Sequence, residues 1–273
     1  FQLSPEDCPE KLRKDWIKTI EGPASYIKDQ QTYIELLKEE IESLEKKGDG
    51  IACFIADSVF SSDGIYEIPD KFLKRIYQEI RKYGGIVIAD EVQSGFGRLG
   101  DHMWGYQDDS VVPDVLTMGK PMGNGHPVSA LLTHSKIVDA LDEAYEGSAY
   151  FNTFGGNPVS AAAALAVLDI LEEDKLIDQA KSVGKYLKSE LEQALKGAEC
   201  VKEIRGKGLF LGIELNEPSI AAKTMENMMK EGVLVGKTGP KNNVIKLRPP
   251  MTFNSKHADF LVNKLSLCLE KTN

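Results

Sequence analysis

Ile86-Val87-Ile88-Ala89-Asp90-Glu91-Val92-Gln93 reads as one buried strand that ends in two carboxylates. Three of its first four residues are β-branched, which suits a pleated surface covered on both faces. Similar apolar runs occur at residues 51–55, 115–118 and 128–133, and the run just quoted spans 85–89. Between the first two lies a helical pattern over residues 70–83, with Pro69 just before it. A further amphipathic helix is expected around residues 33–46, closed by Gly48 and Gly50. Strands that alternate with helices predict a largely parallel sheet, whose chemistry sits at the C-terminal ends of its strands.

Further along, an Ala-rich helix is predicted over residues 158–173 and a second over 176–196, with Gly197 as its stop. Beyond it come apolar runs at 201–205 and 208–215, a helix at 220–231, runs at 233–235 and 244–248, and a last helix from Ser255. Two strands, a helix, two strands and a helix describe a compact α+β unit. The fold class expected is therefore α/β. A partial large domain occupies residues 1–165, and an interdomain helix with a small C-terminal α+β domain occupies 166–273.

Composition narrows the function classes. With 273 residues, 42% hydrophobic and 27% charged, the chain is globular rather than disordered. A net charge of -9 and the lack of a Lys/Arg stripe argue against a nucleic-acid partner. No apolar run approaches the length of a membrane span. Cys8, Cys53, Cys200 and Cys268 show no CxxC spacing and point to a reducing compartment. His102, His126, His134 and His257 lack the spacing of metal ligands, so no metal is expected. The chain opens on Phe1 with no leader pattern, and preceding residues are expected to be missing.

Two motifs offer nucleotide chemistry and fail on context. A strand ending in Asp90-Glu91 matches the metal-binding strand of ATPases, but that reading needs GxxxxGK[ST]. Gly236-Lys237-Thr238 comes nearest, and Glu231 stands where the first Gly is required. Gly95-Phe96-Gly97-Arg98-Leu99-Gly100 spells GxGxxG after a strand. It is followed by Asp101, His102 and Met103 rather than an apolar helix, and the preceding acids would repel a pyrophosphate. A nicotinamide-dependent oxidoreductase is the rival this motif would support.

The run from Asp114 to Pro127 carries more. A short strand feeds Gly119-Lys120-Pro121 and then the turn Gly123-Asn124-Gly125. Gly and Pro fix the backbone on either side of a lysine that stands at a strand end. An Asp at one strand end and a Lys at another supply what pyridoxal phosphate (PLP) chemistry requires. The lysine amine condenses with the cofactor aldehyde, and the carboxylate keeps the pyridine nitrogen protonated so that the ring accepts electrons. Tyr150-Phe151-Asn152-Thr153-Phe154-Gly155-Gly156-Asn157-Pro158 then opens the long helix. Its hydroxyl and backbone amides near a helix N-terminus suit a phosphate.

These segments, followed by RGKGLFLGIEL (residues 205–215) and LRPPMTF (247–253), resemble the class III aminotransferases of PLP fold type I. Within that class the sequence is most similar to the alanine–glyoxylate aminotransferase 2-like group, which includes ethanolamine-phosphate and phosphohydroxylysine phospho-lyases. The resemblance runs from about residue 51 to 264. It implies that Lys120 is the Schiff-base lysine and Asp90 the partner of the pyridine nitrogen. It further implies that Val92 packs on the ring face and Gln93 meets the phenolic oxygen. Thr153 would reach the PLP phosphate of the neighbouring subunit in a homodimer, in the mitochondrion or the cytoplasm. An inactive paralogue is the rival of another kind, and intact Asp90, Gln93 and Lys120 argue against it.

Three departures from the family pattern stand out. Members are longer, and their N-terminal part holds the phosphate cup and a stacking aromatic that residues 1–50 do not replace. Where the family has Glu-Pro followed by Gln and glycines, this chain has Asp57-Ser58-Val59-Phe60-Ser61-Ser62-Asp63-Gly64, so Asp57 is one methylene short. Many members have an arginine three residues before Pro-Pro that pairs with the substrate α-carboxylate. Here that position is Lys246, and Arg248 directly precedes Pro249-Pro250. On a strand the two share a face and either can line the pocket. A lysine lacks the planar fork that selects a carboxylate but suits a phosphate. The sequence thus points to a phospho-lyase acting on a small phospho-amine, with alanine–glyoxylate transamination as the alternative.

Overall fold

The structure is a computed structural model that describes residues 12–20, 22, 29–146 and 150–272; Cys8 lies outside them. The first sheet holds β1 (Cys53–Asp57), β2 (Ile86–Asp90), β3 (Val115–Met118) and β4 (Ala130–Thr133), in that order. β1, β2 and β3 run parallel, and β4 returns antiparallel to β3. The α/β class expected from the sequence is the one observed. The first strand starts two residues later than the sequence pattern suggests.

Two helices cover one face of this sheet. In α1 (Gln30–Lys47) the buried residues Tyr33, Ile34, Leu37, Ile41 and Leu44 recur at helical spacing and make one stripe. Asp29 caps its start by accepting from Thr32 N, and Gly48 at φ +85° ends it in the left-handed conformation. In α2 (Phe72–Lys82), Phe72, Leu73, Ile76, Tyr77 and Ile80 pack with the α1 stripe and Val87 of β2. α2 begins at Phe72 rather than at Asp70, because its cap comes from elsewhere. The buried Asp109 accepts from Lys71 N at 2.6 Å and Lys74 N at 3.2 Å.

The second sheet is antiparallel throughout, in the order β5 (Val201–Lys207), β6 (Phe210–Leu215), β8 (Val244–Leu247), β7 (Gly236–Thr238). Leu211, Ile213 and Leu215 alternate along β6 and share a core with Ile245 and Leu247 of β8. Leu187 and Leu191 of α5 (Leu176–Ala194), Met228 of α6 (Pro218–Lys230) and Leu265 of α7 (Ser255–Glu270) close that core. The strand expected at residues 233–235 is displaced to Gly236–Thr238. Gly232 ends α6 at φ +82°, and the apolar run after it serves as packing: Val233 and Val235 dock on the core while Leu234 is exposed. α3 (Ser135–Ala144) has no buried residue.

The opposite face of the second sheet grips the loop after β1. Arg205 of β5 is buried and donates to Gly64 O at 2.9 Å, Ile65 O at 3.1 Å and the Tyr66 hydroxyl at 3.2 Å. Its guanidinium lies 4.2 Å from the Tyr66 ring centroid and pairs with Glu214 at 2.6 Å and Glu203 at 2.8 Å. Five donors in a planar fork satisfy all of these at once, which a lysine would not do. α4 (Pro158–Glu173) has the limits read from the sequence, with Asn157 accepting from Ser160 N as its cap. Among the described residues no helix is long and apolar enough to cross a membrane.

Candidate active site

The parallel strands bring three residues of interest to one edge of the first sheet. Asp57 and Asp90 are register partners at the ends of β1 and β2, and Asp90 is paired in turn with Thr117 of β3. Asp90 Oδ1 accepts from Val92 N at 3.1 Å and Thr117 Oγ1 at 3.3 Å, and its other oxygen has no partner among the described residues. Lys120 lies three residues beyond Thr117, at the start of a 3-10 turn over Lys120–Gly123. Pro121 fits that turn because its missing N–H is not needed there. Lys120 is exposed, with no hydrogen bond or ion pair to a described residue. Val92 stands beside Gly119, the residue before it: a Cβ on that buried glycine would lie 3.7 Å from Val92 Cγ1. Behind the turn, His126 Nε2 and Ser160 Oγ of α4 are 2.8 Å apart.

Adjacent in sequence, Asp90 and Glu91 have different surroundings. Glu91 is buried and consumed by the scaffold, accepting from Ser58 Oγ, Ser94 Oγ (2.7 Å), Gly105 N (2.9 Å) and Tyr106 N (3.0 Å). Every lone-pair direction of that carboxylate is in use, so it holds the loop after β2 rather than a ligand. Asp90 has one oxygen without a partner among the described residues.

Gln93 is tied at both ends. Its Oε1 accepts from Arg248 Nη1 at 2.6 Å, and its Nε2 donates to Ser61 Oγ at 2.8 Å. Ser61 Oγ in turn donates to Asp57, which also accepts from Val59 N (2.8 Å) and Ser61 N (2.9 Å). Burial raises the pKa of Asp57 against the lowering effect of these hydrogen bonds, and the charge of Asp90 adds to the rise. Arg98 lies nearby and donates to Leu209 O (3.1 Å) and Pro249 O (2.8 Å). Burial, with Arg248 adding, lowers its pKa to about 10, so it stays charged at neutral pH. Sequence reading missed Ser61 and Arg98; the only signal was their place inside motifs already singled out for other reasons.

The remaining expected site residues are placed as follows. β8 ends at Leu247, so Lys246 is in the strand and Arg248 directly follows it, where its guanidinium reaches Gln93. Lys246 pairs with Gly212 on β6 and Gly236 on β7, two residues without side chains, and Gly236 lies against its Cε. Thr153 is exposed in the loop before α4 and makes no hydrogen bond to Asp90 or Lys120 among the described residues.

The GxGxxG run is a packing device. A Cβ on Gly97 would lie 2.4 Å from Ile177 Cγ1, and one on Gly100 would lie 2.6 Å from the Lys181 backbone. Gly95 abuts Glu91 O and the Trp104 ring. These glycines let the loop press against the first two turns of α5, and no apolar helix follows the run directly in sequence as a dinucleotide site requires.

The donor set fits PLP: a strand-end carboxylate with one open oxygen, a lysine at the end of the next strand with no partner among the described residues, and an amide of the loop after β2 held by Ser61 and Arg248. The α/β sheet and this edge define a fold type I PLP enzyme. The family described as aminotransferase class III matches residues 13–269. The chain belongs to that family, whose cofactor is PLP. It is 43% identical to an alanine–glyoxylate aminotransferase 2-like protein of Drosophila melanogaster, over 87% of this chain and 49% of that one. It is 37% identical to ethanolamine-phosphate phospho-lyase homolog 1 of Caenorhabditis elegans, over 88% of this chain and 53% of the relative. It also resembles a solved phospholyase from Arthrobacter in complex with phosphoethanolamine, with a TM-score of 0.84 and 39% identity, covering 93% of this chain and 62% of that one. The chain spans about half the length of the curated relatives it matches.

Proposed function

We propose that the protein is a PLP-dependent enzyme acting on primary amines, and that it eliminates phosphate from a small phospho-amine of the phosphoethanolamine or phosphohydroxylysine type. The observation that carries the substrate class is Lys246. It replaces the forked cation that would select a carboxylate, and in register it is flanked by two glycines of neighbouring strands. The phospholyase with bound phosphoethanolamine and the phospho-lyase homolog, both at 37% identity or more, support the same reading.

Bound PLP would supply an aldehyde that condenses with amines and a ring that accepts an electron pair. Lys120 would hold the cofactor and, as a free amine, take the proton from the substrate carbon. Asp90 would hold a proton on the ring nitrogen with its open oxygen. Val92 would pack against the ring face, and Gln93 would donate to the phenolic oxygen. Lys246 holds the substrate phosphate as a point charge, with Arg248 as the alternative anchor. Thr153, exposed on its loop, serves the cofactor phosphate of the neighbouring subunit in a homodimer.

The boundary between the two folding units falls within α4, near residue 165. Two relatives are named mitochondrial, which favours the mitochondrion over the cytoplasm. Alanine–glyoxylate transamination is the second reading, favoured by the names of other relatives. The two share every residue up to proton removal. Incubation with phosphoethanolamine, phosphohydroxylysine, and separately alanine plus glyoxylate distinguishes them. Inorganic phosphate released together with ammonia and an aldehyde supports the lyase. Pyruvate from alanine, with no phosphate from either phospho-amine, makes it an aminotransferase.

A further inference from the structure

Arg248, Gln93, Ser61 and Asp57 form a hydrogen-bond chain whose direction is set at both ends. A guanidinium has only donors, so Arg248 Nη1 must meet the amide oxygen of Gln93, 2.6 Å away. Ser61 Oγ gives its single proton to Asp57, so toward Gln93 it accepts, and Gln93 Nε2 lies 2.8 Å from it. Both ends demand the same orientation of the Gln93 amide. One N–H of Nε2 is then left without a partner among the described residues.

The members of this chain are anchored independently of one another. Ser61 is fully buried, and its loop is pinned to the second sheet by Thr238 Oγ1 donating to Ser61 O at 2.9 Å and Gly239 N donating to Ser62 O at 3.0 Å. Arg248 arrives from the end of β8 beside Pro249, whose carbonyl is held by Arg98. Two sheets thus converge on one amide that neither holds alone.

We propose that Arg248 is a positioning residue rather than a substrate anchor: with Ser61 and Asp57 it holds the Gln93 amide so that its remaining N–H serves the phenolic oxygen of PLP. This rests on the cofactor reading above. A donor at that oxygen favours its ionised form and lowers the pH at which the visible band of the bound cofactor changes. Without Arg248 the amide is free to turn its oxygen inward, and that midpoint rises. Lys246 is left as the cation for the substrate.

The test uses Arg248→Met, Arg248→Lys, Gln93→Leu and the Arg248→Met/Gln93→Leu double variant. In cofactor-free protein the two single changes should lower the melting temperature non-additively, as expected for side chains in contact. In the PLP-loaded protein, Arg248→Met should raise the visible-band midpoint by roughly half a pH unit or more. Arg248→Lys, which keeps a donor, should raise it less, and Arg248→Met should add nothing in the Gln93→Leu background. Additive melting effects, or a higher KM with an unmoved midpoint, would overturn the proposal and return Arg248 to the substrate. A wild-type protein that never develops a visible band with PLP overturns the cofactor reading itself, and the melting cycle still judges the Arg248–Gln93 contact.

Discussion

Asp57 and Asp90 are hydrogen-bond register partners at the C-terminal ends of adjacent parallel strands, and they answer the same edge in opposite ways. Asp57 is spent on its own loop, accepting from Val59 N, Ser61 N and Ser61 Oγ. Asp90 leaves one oxygen without a partner among the described residues. Parallel pairing alone would put two carboxylates side by side, and the loop donors keep them from competing for one role.

The raised pKa of Asp57 carries a pH dependence. Its folded state binds a proton more tightly than the unfolded chain, so its contribution to stability is fullest below the ordinary value of 3.8 and declines as pH rises through the folded value. Asp57→Asn removes that titration. Melting temperatures of the two proteins between pH 3.5 and about 7 should show the difference, wild type minus variant, falling as pH rises. A flat difference would place the folded pKa at the ordinary carboxylate value.

Lys120→Ala should abolish the borohydride-reducible PLP adduct and turnover together, because no other lysine takes its place at the end of β3. An adduct mapped by peptide mass to another lysine would remove that assignment. Asp90→Asn should retain the cofactor more weakly and lose turnover by several orders of magnitude, since a neutral pyridine is a poor electron sink.

Gly184 of α5 presses on Gly208, where an added Cβ would lie 2.2 Å from the Gly208 carbonyl oxygen. Neither partner is a side chain that can swing away. Gly184→Ala should therefore cost roughly 1–3 kcal/mol, or about 2–4 °C of Tm for each kcal/mol in a chain of this size. Gly48→Ala strains a left-handed cap at φ +85° with open space around it, and its cost should not exceed about 1–2 kcal/mol. Calorimetry on the two variants separates backbone contact from backbone strain.

Tyr150, Phe151 and Phe154 are 78%, 88% and 82% exposed in the loop that holds Thr153, and Val159 is exposed at the start of α4. Single exposed apolar residues are ordinary, but three aromatics within five positions make a patch that association would cover. Phe151→Asp should lower the mass seen by light scattering and weaken PLP binding with it. A change in mass with PLP affinity intact would separate the interface from the cofactor site.

Much of this protein was legible in its sequence because the signals are local. An apolar β-branched run stopped by Asp90, and another stopped by Gly119-Lys120, each place a charged group at a sheet edge whatever the rest of the chain does. The limits of α4 follow from Asn157-Pro158 and its Ala-rich run. The family resemblance rests on the same short segments.

What only the tertiary structure decided are the contacts between segments far apart in the chain. Arg248 meets Gln93 across 155 positions, Arg98 holds Pro249 O across 151, and Asp109 caps a helix that begins 37 residues before it. The GxGxxG run became a seat for α5, and Glu91 became a scaffold for the loop beside Asp90. Periodicity and turn residues encode the geometry of one element. The meeting of two side chains from different sheets depends on how those sheets are packed, and that packing is set by the whole core at once.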